Sequence, residues 1–497
     1  MPTVLKIVLT HRGAAKAKYK TAGWSAIRAA VTALGKADAR RGITTKFMAL
    51  DSAADMQRVG AVPVSAHDDV QAIKAAVDAI FTKLAPAYLA ILGGPDLVAP
   101  VNLTNPLWTG DPNDDPDQFI PSDLPYACDA AFSLSPSAYR AATRVVGRIP
   151  DLVGVDDRRV LVDQLHVAAQ QQPQPRKSPQ KVFAVSAKVW QRSTALSISG
   201  LPNVNSTVQT SPANGPNWTA TQLAPPVHFV NCHGGEFDPN WYGQATPTNW
   251  NLPVAVAAAR VPSAAGGMVV AAECCYGTSH WPPSAAGGQA SVAMTYLRNG
   301  AVAVFGSSTV AYGPATTTNY ADDLCRLFVT EVLGGASVGR AVLVARQNYV
   351  QAQGMLDPTD LKTLAQFTLL GDPSAVPFAL AAPHAAPKSA AAVVNRRAQL
   401  DAVGKALEHT TFACHAEPRS RAGLTRGRLA ELLARPVPDR VTVRTFDASS
   451  RHADGGGSTA PRAHVAFVPP HGRRAGTLVV VRDHGGGTPE VREVVNR

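Results

Sequence analysis

The chain is 497 residues long, with a hydrophobic fraction of 45% and a charged fraction of 17%. This length accommodates two or three domains of ordinary size, and the composition excludes disordered and fibrous proteins. No apolar run reaches the roughly 20 residues of a membrane-spanning helix, and residues 1–10 lack the apolar core of a secretory signal, so we expect a cytoplasmic protein. The six cysteines form no paired framework, which agrees with a reducing compartment.

The net charge of +11 is concentrated at the carboxyl end of the chain. Residues 384–497 hold 18 Lys and Arg against 10 Asp and Glu. Such a region can bind nucleic acid, an acidic partner or a membrane surface. It lacks the interleaved aromatic residues that favour single-stranded nucleic acid, so we do not expect nucleic acid to be its partner. We predict a basic region of unknown role, for which a merely solvated module is the favoured interpretation and a partner is left open.

In the first part of the chain, short apolar runs alternate with segments of helical periodicity. They predict strands at residues 5–9, 45–50 and 88–92, and helices at residues 22–40 and 66–84. Strand and helix in alternation indicate a parallel α/β fold. Residues 144–149 predict a further strand at an edge of the sheet.

The polar, proline-rich residues 170–181 predict a boundary between two subdomains. Beyond this boundary the alternation resumes, with predicted strands at residues 181–187, 227–230, 267–272 and 301–306. In the basic region, residues 464–468 and 477–481 predict two paired strands, and residues 400–409 and 427–433 predict short helices. We therefore divide the chain into residues 1–172, 173–383 and 384–497.

Residues 107–139 form a long loop rich in Pro, Asp and Ser. The carboxylates of Asp111, Asp114, Asp115 and Asp117 lie close together in its sequence and are oxygen ligands of the kind that Ca²⁺ prefers. Their spacing is not that of an EF-hand loop, so a solvated acidic turn is the competing interpretation.

Two predicted strands end in reactive residues. The run at residues 227–230 is followed by His233 and Gly234, and the run at residues 268–272 is followed by Glu273, Cys274 and Cys275. Because the carboxyl ends of parallel strands meet at one edge of an α/β sheet, we expect the imidazole and a thiol to emerge together there.

A cysteine becomes a nucleophile when a base accepts its proton and backbone N–H groups stabilise the oxyanion that forms. His233 is the candidate base, and the N–H groups of Gly234 and Cys275 are the candidate oxyanion donors. If Cys275 opens a turn that ends at Gly277, a helix dipole would stabilise its thiolate.

Two other interpretations stay open at this point. Free cysteines are among the most buried residues, so these side chains could belong to an ordinary core. A zinc site could instead use five nearby donors: His228, Cys232, His233, Cys274 and Cys275. The absence of Cys-x-x-Cys and His-x-x-x-His spacings argues against zinc.

The order of these motifs resembles clan CD cysteine peptidases, the group of caspases and legumains, and within it the gingipain-like peptidase family C25. The segments that carry the resemblance run in family order: Ile91-Leu92-Gly93-Gly94-Pro95-Asp96, Pro121-Ser122-Asp123, Val146-Gly147-Arg148-Ile149-Pro150, His233-Gly234, Glu273-Cys274-Cys275-Tyr276-Gly277, Gly300-Ala301-Val302-Ala303-Val304-Phe305-Gly306-Ser307 and Leu369-Leu370-Gly371-Asp372-Pro373-Ser374. The resemblance implies a caspase-hemoglobinase-like α/β fold. We expect mainly parallel sheets flanked by helices, in two α/β subdomains plus a small carboxyl-terminal region.

The resemblance also implies a mechanism: a cysteine endopeptidase that cleaves protein or peptide substrates through a Cys-His dyad and a thioester acyl-enzyme. In the clan a small residue precedes the nucleophile, which favours Cys275, with Cys274 as the alternative nucleophile. The histidine of the family is often oriented by a third group, and Asp151 is our candidate for it. No cofactor is expected for the chemistry, although structural Ca²⁺ is compatible with the family. The alternative function is a catalytically inactive scaffold that binds protein partners.

Overall fold

The computed structural model describes residues 4–261, 267–379, 390–408, 410, 412–416, 424–438, 440–449, 461–469, 476–484 and 488–496. Its first part contains β1 (Val4–Thr10), α1 (Arg12–Arg40), β2 (Ile43–Ala49), α2 (Ala53–Val59), α3 (Val70–Leu84), β3 (Tyr88–Leu92), β4 (Val101–Thr104), β5 (Phe119–Ser122), β6 (Val146–Ile149) and α4 (Arg159–Gln170). Its second part contains β7 (Phe183–Ala187), α5 (Gln191–Ser199), β8 (Val208–Ser211), α6 (Ala220–Leu223), β9 (Val227–Asn231), β10 (His233–Gly234), β11 (Asn240–Tyr242), β12 (Val254–Ala257), β13 (Val269–Ala272), α7 (Val292–Arg298), β14 (Ala303–Ser307), β15 (Tyr312–Gly313), α8 (Ala321–Leu333), α9 (Val338–Ala352), α10 (Pro358–Gln366) and β16 (Phe367–Gly371). The basic region contains α11 (Ala390–Leu407), β17 (Phe412–Ala416), α12 (Arg426–Leu432), β18 (Thr442–Ser449), β19 (Arg462–Val468), β20 (Thr477–Asp483) and β21 (Glu490–Asn496).

Ten of the described strands form the main sheet, in the order β2-β1-β3-β6-β16-β14-β13-β9-β7-β8. Neighbouring strands are parallel except β14 and β16, which are antiparallel. The strands from β2 to β16 therefore run in one direction and those from β14 to β8 in the other. The carboxyl ends of the two half-sheets consequently lie at opposite ends of the strands. We call the side where β2, β1, β3, β6 and β16 end the first edge, and the side where β14, β13, β9, β7 and β8 end the second edge.

This arrangement confirms the predicted α/β fold and its mainly parallel sheet. The two predicted subdomains share this sheet, because β16 comes from the second part of the chain and lies beside β6 of the first. The prediction that residues 144–149 form an edge strand is wrong, since β6 lies between β3 and β16. An apolar run that is buried on both faces belongs in a sheet interior, and every residue of β6 is buried.

Helices cover both faces of the main sheet because its strands are apolar on both sides. One face packs against α3, α8 and α9 through residues such as Ile73, Phe328 and Val342. The opposite face packs against α1 through Ile27 and Leu34. Burial of each such aliphatic side chain contributes roughly 1.5–3 kcal/mol to folding.

The basic region forms a second, antiparallel sheet in which six described strands take the order β15-β21-β20-β19-β18-β17. The predicted pairing of residues 464–468 with residues 477–481 is confirmed by β19 and β20. Side chains alternate along β19: Val465 and Phe467 face the body of the protein, whereas Ala466 and Val468 face α12. We call this second sheet the carboxyl-terminal sheet.

Several contacts fix the carboxyl-terminal sheet to the main domain, among them a strand pairing and a buried ion cluster. Tyr312 of β15 pairs with Asn496 of β21, so the main domain contributes a strand to it. Arg482 is 1% exposed and donates to Asp357 over 2.7 and 2.9 Å, and also to Asp360. A buried guanidinium requires such partners, so this cluster resists separation of the two parts.

Within the described ranges, none of the helices combines the length and the apolar character that crossing a bilayer requires.

Candidate active site

The register of β9 and β13 brings the two reactive segments together. These strands are parallel, and Val227 pairs with Val269 as Val230 pairs with Ala272. His233 and Cys275 each follow the last of these paired residues, Val230 and Ala272, by three positions. The imidazole and the thiol thus follow neighbouring strands at the second edge, as the sequence predicts.

Gly234 makes the closest contact between the two segments. A Cβ atom on Gly234 would lie 1.9 Å from the carbonyl oxygen of Cys275 and 3.4 Å from Cβ of Cys274. No side chain fits into that space, so glycine is required at this position. The backbone after His233 therefore packs directly against the peptide of the candidate nucleophile.

His233 is oriented by a side-chain amide. Its Nε2 lies 2.9 Å from Oε1 of Gln244, and Nε2 of Gln244 donates to the carbonyl of Pro247 over 3.5 Å. An amide oxygen can only accept, so this contact matches the tautomer of His233 that carries the proton on Nε2 and keeps Nδ1 as the acceptor. The ring packs against Trp190 at a centroid distance of 4.4 Å and lies 6.0 Å from Trp250.

The two adjacent thiols have different surroundings. Sγ of Cys275 accepts from the backbone N–H of Ala311 over 3.3 Å and donates to its carbonyl over 3.7 Å. Its side chain packs beneath the carboxyl-terminal sheet in an apolar cluster with Tyr312. Cys274 has no exposed surface and packs between the main sheet and α7. Burial raises the pKa of the Cys274 thiol well above its usual value, so that thiol stays protonated.

The acidic loop extends to the second edge, where it supports the segments beside Cys275. Asp117 accepts from Oη of Tyr276 over 2.9 Å and from the backbone N–H of Val310 over 2.8 Å. Asp115 accepts from Oη of Tyr312 over 3.0 Å. Lys362, fully buried, lies 2.6 Å from Asp115 and 3.1 Å from Asp117 and compensates both charges. The loop therefore positions residues on both sides of the thiol.

The calcium site suggested for this loop does not fit these contacts. Asp115 and Asp117 are neutralised by Lys362, while Asp111 pairs with Arg440 and Asp114 accepts from Thr109. Over the described residues, no group of three or more His, Cys, Asp and Glu side chains is placed to hold a metal ion. The same described residues likewise contain no group that could form the zinc site considered from the sequence.

His228 of that alternative is a core residue. Its Nδ1 lies 2.9 Å from Oη of Tyr296 and its Nε2 lies 3.1 Å from the carbonyl of Leu223. Burial lowers the pKa of His228 to about 4, so its ring is neutral near pH 7.

The proposal that Asp151 orients His233 is wrong. Asp151 follows β6, so it lies at the first edge, whereas His233 lies at the second. Its carboxylate accepts from Nζ of Lys18 over 2.8 Å, from the N–H of Gly94 over 2.6 Å and from Oη of Tyr19. These contacts occupy it as a structural anion.

Sequence reasoning missed Gln244, Trp190 and the role of Asp117. Trp190 follows β7, the neighbour of β9, so the argument from strand ends could have found it. Gln244 follows the short β10–β11 hairpin, and no spacing rule connects it with His233.

A Gly-x-Ser-x-Gly pattern, typical of serine hydrolases, occurs at residues 335–339. It follows helix α8 instead of a strand, and Oγ of Ser337 accepts from the N–H of Arg340 to cap α9. Ser337 is therefore a helix cap rather than a nucleophile.

A thiol and an imidazole that follow neighbouring strands of an α/β sheet are residues of the kind that cysteine hydrolases use. The chain matches the model of peptidase family C25 over residues 24–378, and it belongs to that family. It is a cysteine-type endopeptidase with the predicted caspase-hemoglobinase-like α/β fold.

The solved structures to which the chain is similar are distant in sequence, and their TM-scores are below 0.5. One is a structure described as a protease, which is 14% identical to this chain. The match covers 100% of this chain and 98% of that one, with a TM-score of 0.49. The complex of the pro- and mature domains of RgpB from Porphyromonas gingivalis is 11% identical, with coverages of 98% and 99% and a TM-score of 0.46. The separase–securin complex of Saccharomyces cerevisiae is 12% identical, covers 47% of this chain and 14% of its own, and has a TM-score of 0.30. No curated protein matches the chain in sequence.

Proposed function

We propose that Cys275 and His233 form the catalytic dyad, and that the enzyme cleaves protein or peptide substrates through a thioester. The observation that carries this proposal is the contact of Gly234 with the Cys275 carbonyl, where a Cβ atom would be only 1.9 Å away. That contact joins the residue after the base to the residue that bears the thiol.

In the proposed reaction, Nδ1 of His233 accepts the proton of the Cys275 thiol. The thiolate attacks the scissile carbonyl carbon, and the backbone N–H groups of Gly234 and Cys275 stabilise the oxyanion. His233 then protonates the departing amine as the C–N bond breaks, leaving a thioester. Water, deprotonated by His233, attacks the thioester carbon, and the carboxylic acid and the free thiol are released.

The surroundings of the two thiols support Cys275 as the nucleophile. Cys274 faces the core beside α7 and is held protonated by burial. Cys275 lies in the turn in which the N–H of Gly277 donates to the carbonyl of Cys274 over 3.1 Å. A rotation about the Cα–Cβ bond of Cys275 would exchange its contact with Ala311 for one with the substrate.

Gln244 takes the orienting role in place of Asp151. Its amide oxygen holds the proton on Nε2 of His233, which keeps Nδ1 basic. A neutral partner stabilises the imidazolium less than a carboxylate would, so the base is oriented without a strong rise in basicity.

The alternative, a catalytically inactive scaffold, is favoured by one observation: Cys275 is only 4% exposed. Incubation of the full chain with a mixed peptide pool, followed by mass spectrometry of the products, separates the two functions. The peptidase cleaves the pool and loses this activity in His233→Ala, with an unchanged circular dichroism spectrum. Absence of cleavage by the folded wild type would establish the scaffold.

A further inference from the structure

A cavity of about 440 Å³ is lined by loops of the main domain and by the adjoining ends of β19 and β20 in the carboxyl-terminal sheet. Trp250 and Tyr312 line it on the side of the main domain, and Phe467 and Leu478 line it on the side of the carboxyl-terminal sheet. Its volume falls within the roughly 300–1,000 Å³ of small-ligand pockets. The catalytic mechanism proposed above does not use it.

We propose that this cavity is the specificity pocket of the peptidase and that it selects a large apolar or aromatic substrate side chain. This inference rests on the proposed function, because it assigns a substrate class to the same site. It also gives the carboxyl-terminal sheet a role, since that sheet supplies one wall of the pocket.

Residues of the cavity lining lie close to both members of the proposed dyad. The ring of Trp250 lies 6.0 Å from the ring of His233. Tyr312 follows Ala311, whose backbone contacts Sγ of Cys275 over 3.3 Å. Phe467 belongs to the same apolar cluster as Cys275. A peptide whose scissile carbonyl lies at the thiol can therefore place a neighbouring side chain in the cavity.

The chemistry of the lining favours an apolar guest. Trp250, Tyr312 and Phe467 present aromatic surface, and each Å² of apolar area removed from water contributes about 25 cal/mol. The two charged residues of the lining, Asp114 and Arg440, carry opposite charges.

Each of these charges has a partner outside the guest. Asp114 accepts from Oγ1 of Thr109 over 2.8 Å, and Arg440 donates to Asp111 over 3.0 Å. Because Asp111 compensates Arg440, an anionic guest would lose hydration without gaining an uncompensated opposite charge. The neutral hydroxyl of Thr109 does not compensate the charge of Asp114.

The wall that selects the substrate lies outside the part of the chain that matches the family. The match ends at residue 378, whereas Phe467 and Leu478 come from β19 and β20. The pairing of β15 with β21 holds this wall against Tyr312. We infer that residues of the carboxyl-terminal sheet set the specificity of this particular chain.

The test uses the full chain and hexapeptides that differ at one central residue. The wild type should cleave peptides with Phe, Tyr or Leu at the preferred position at least tenfold faster, by kcat/KM, than those with Ala, Asp or Lys. Phe467→Ala should reduce this preference about tenfold, as removal of a hydrophobic pocket contact does. The matched control, Val479→Ala, changes the opposite face of the same sheet and should retain the preference.

Trp250→Ala provides a second variant, since Trp250 is 56% exposed and its replacement leaves the core intact. A preference for Lys, Arg or Asp, or equal effects of Phe467→Ala and Val479→Ala, would overturn the inference. Binding of the same peptides to Cys275→Ala, measured by calorimetry, separates the two proposals. If the wild type cleaves nothing but Cys275→Ala binds apolar peptides preferentially, the pocket stands and the proposed function fails. Binding without preference overturns the pocket.

Discussion

Both edges of the main sheet carry hydrogen-bonded polar side chains at the carboxyl ends of strands, but the contacts of these side chains differ in kind. At the first edge, Asp151 accepts from Lys18, Tyr19 and the backbone of Gly94. Burial is the main cause, and the negative charge of Asp151 the second, of a raised pKa of the Tyr19 hydroxyl. The hydroxyl therefore stays protonated and donates its hydrogen bond. At the second edge, His233 is held by Gln244 beside a thiol and a cavity.

The difference shows that a polar cluster at the carboxyl ends of strands is not by itself a catalytic site. At the first edge, the ion pair between Asp151 and Lys18 holds neighbouring segments of the chain together. At the second edge, Lys362 compensates Asp115 and Asp117, which bind the segments that flank the thiol.

The largest effect is expected from removal of the thiol at the second edge. Cys275→Ala should lower kcat by about 10³-fold or more, because loss of a covalent nucleophile leaves only the residual contribution of binding. Cys274→Ala should retain activity within about tenfold and lose some stability instead, since it trims a buried side chain. Steady-state kinetics on both variants measures this, and the opposite pattern would identify Cys274 as the nucleophile.

The second prediction removes the cation that pairs with Asp115 and Asp117. Lys362→Met should destabilise the fold by about 3–5 kcal/mol, because Asp115 and Asp117 are left buried without their counter-charge. It should also lower kcat, since these carboxylates hold the segments of Tyr276 and Val310. Denaturant unfolding and kinetics at a permissive temperature test the two parts. Full kcat in a destabilised variant would show that the loop does not position the thiol.

The third prediction disturbs the first edge. Asp151→Asn should cost roughly 1.5–3 kcal/mol, as expected for weakened hydrogen bonds to a charged group, because Lys18 keeps its contact with Asp96. Activity measured below the unfolding transition should stay close to that of the wild type. A large fall in kcat without unfolding would restore Asp151 to the catalytic machinery and remove the distinction between the edges.

The smallest effect is expected from the group that orients the base. Gln244→Leu should lower kcat about tenfold to a hundredfold with little change in KM, at the low end of the 10²–10⁴ that general-base catalysis contributes. Gln244→Glu keeps an accepting oxygen beside Nε2 of His233 and should recover most of the loss. A merely structural role for Gln244 would instead lower stability equally in both variants.

Much of the fold was predictable because buried strands leave a clear pattern of apolar runs. The runs at β9 and β13 end in His233 and Cys275, and parallel packing brings those ends together. The direction of β16 was not predictable, because a run such as Phe367–Gly371 contains no signal for its orientation. That single antiparallel pairing moves Asp151 to the opposite edge.

The remaining site residues depend on contacts between distant parts of the chain. Asp117 reaches Tyr276 across a sequence separation of 159 residues, and its proximity in sequence to other acids suggested a cation instead. Phe467 likewise lies far from His233 and Cys275 in sequence and lines the cavity through the docking of the carboxyl-terminal sheet.

The most direct test of the account is the location of a covalent adduct. The full chain would be treated with an irreversible thiol-directed peptide inhibitor bearing a large apolar residue, digested and mapped by mass spectrometry. We expect one adduct, on Cys275, and a strong reduction of its rate of formation in His233→Ala. An adduct on Cys274, or labelling of Cys275 at an unchanged rate in His233→Ala, would contradict the proposed dyad.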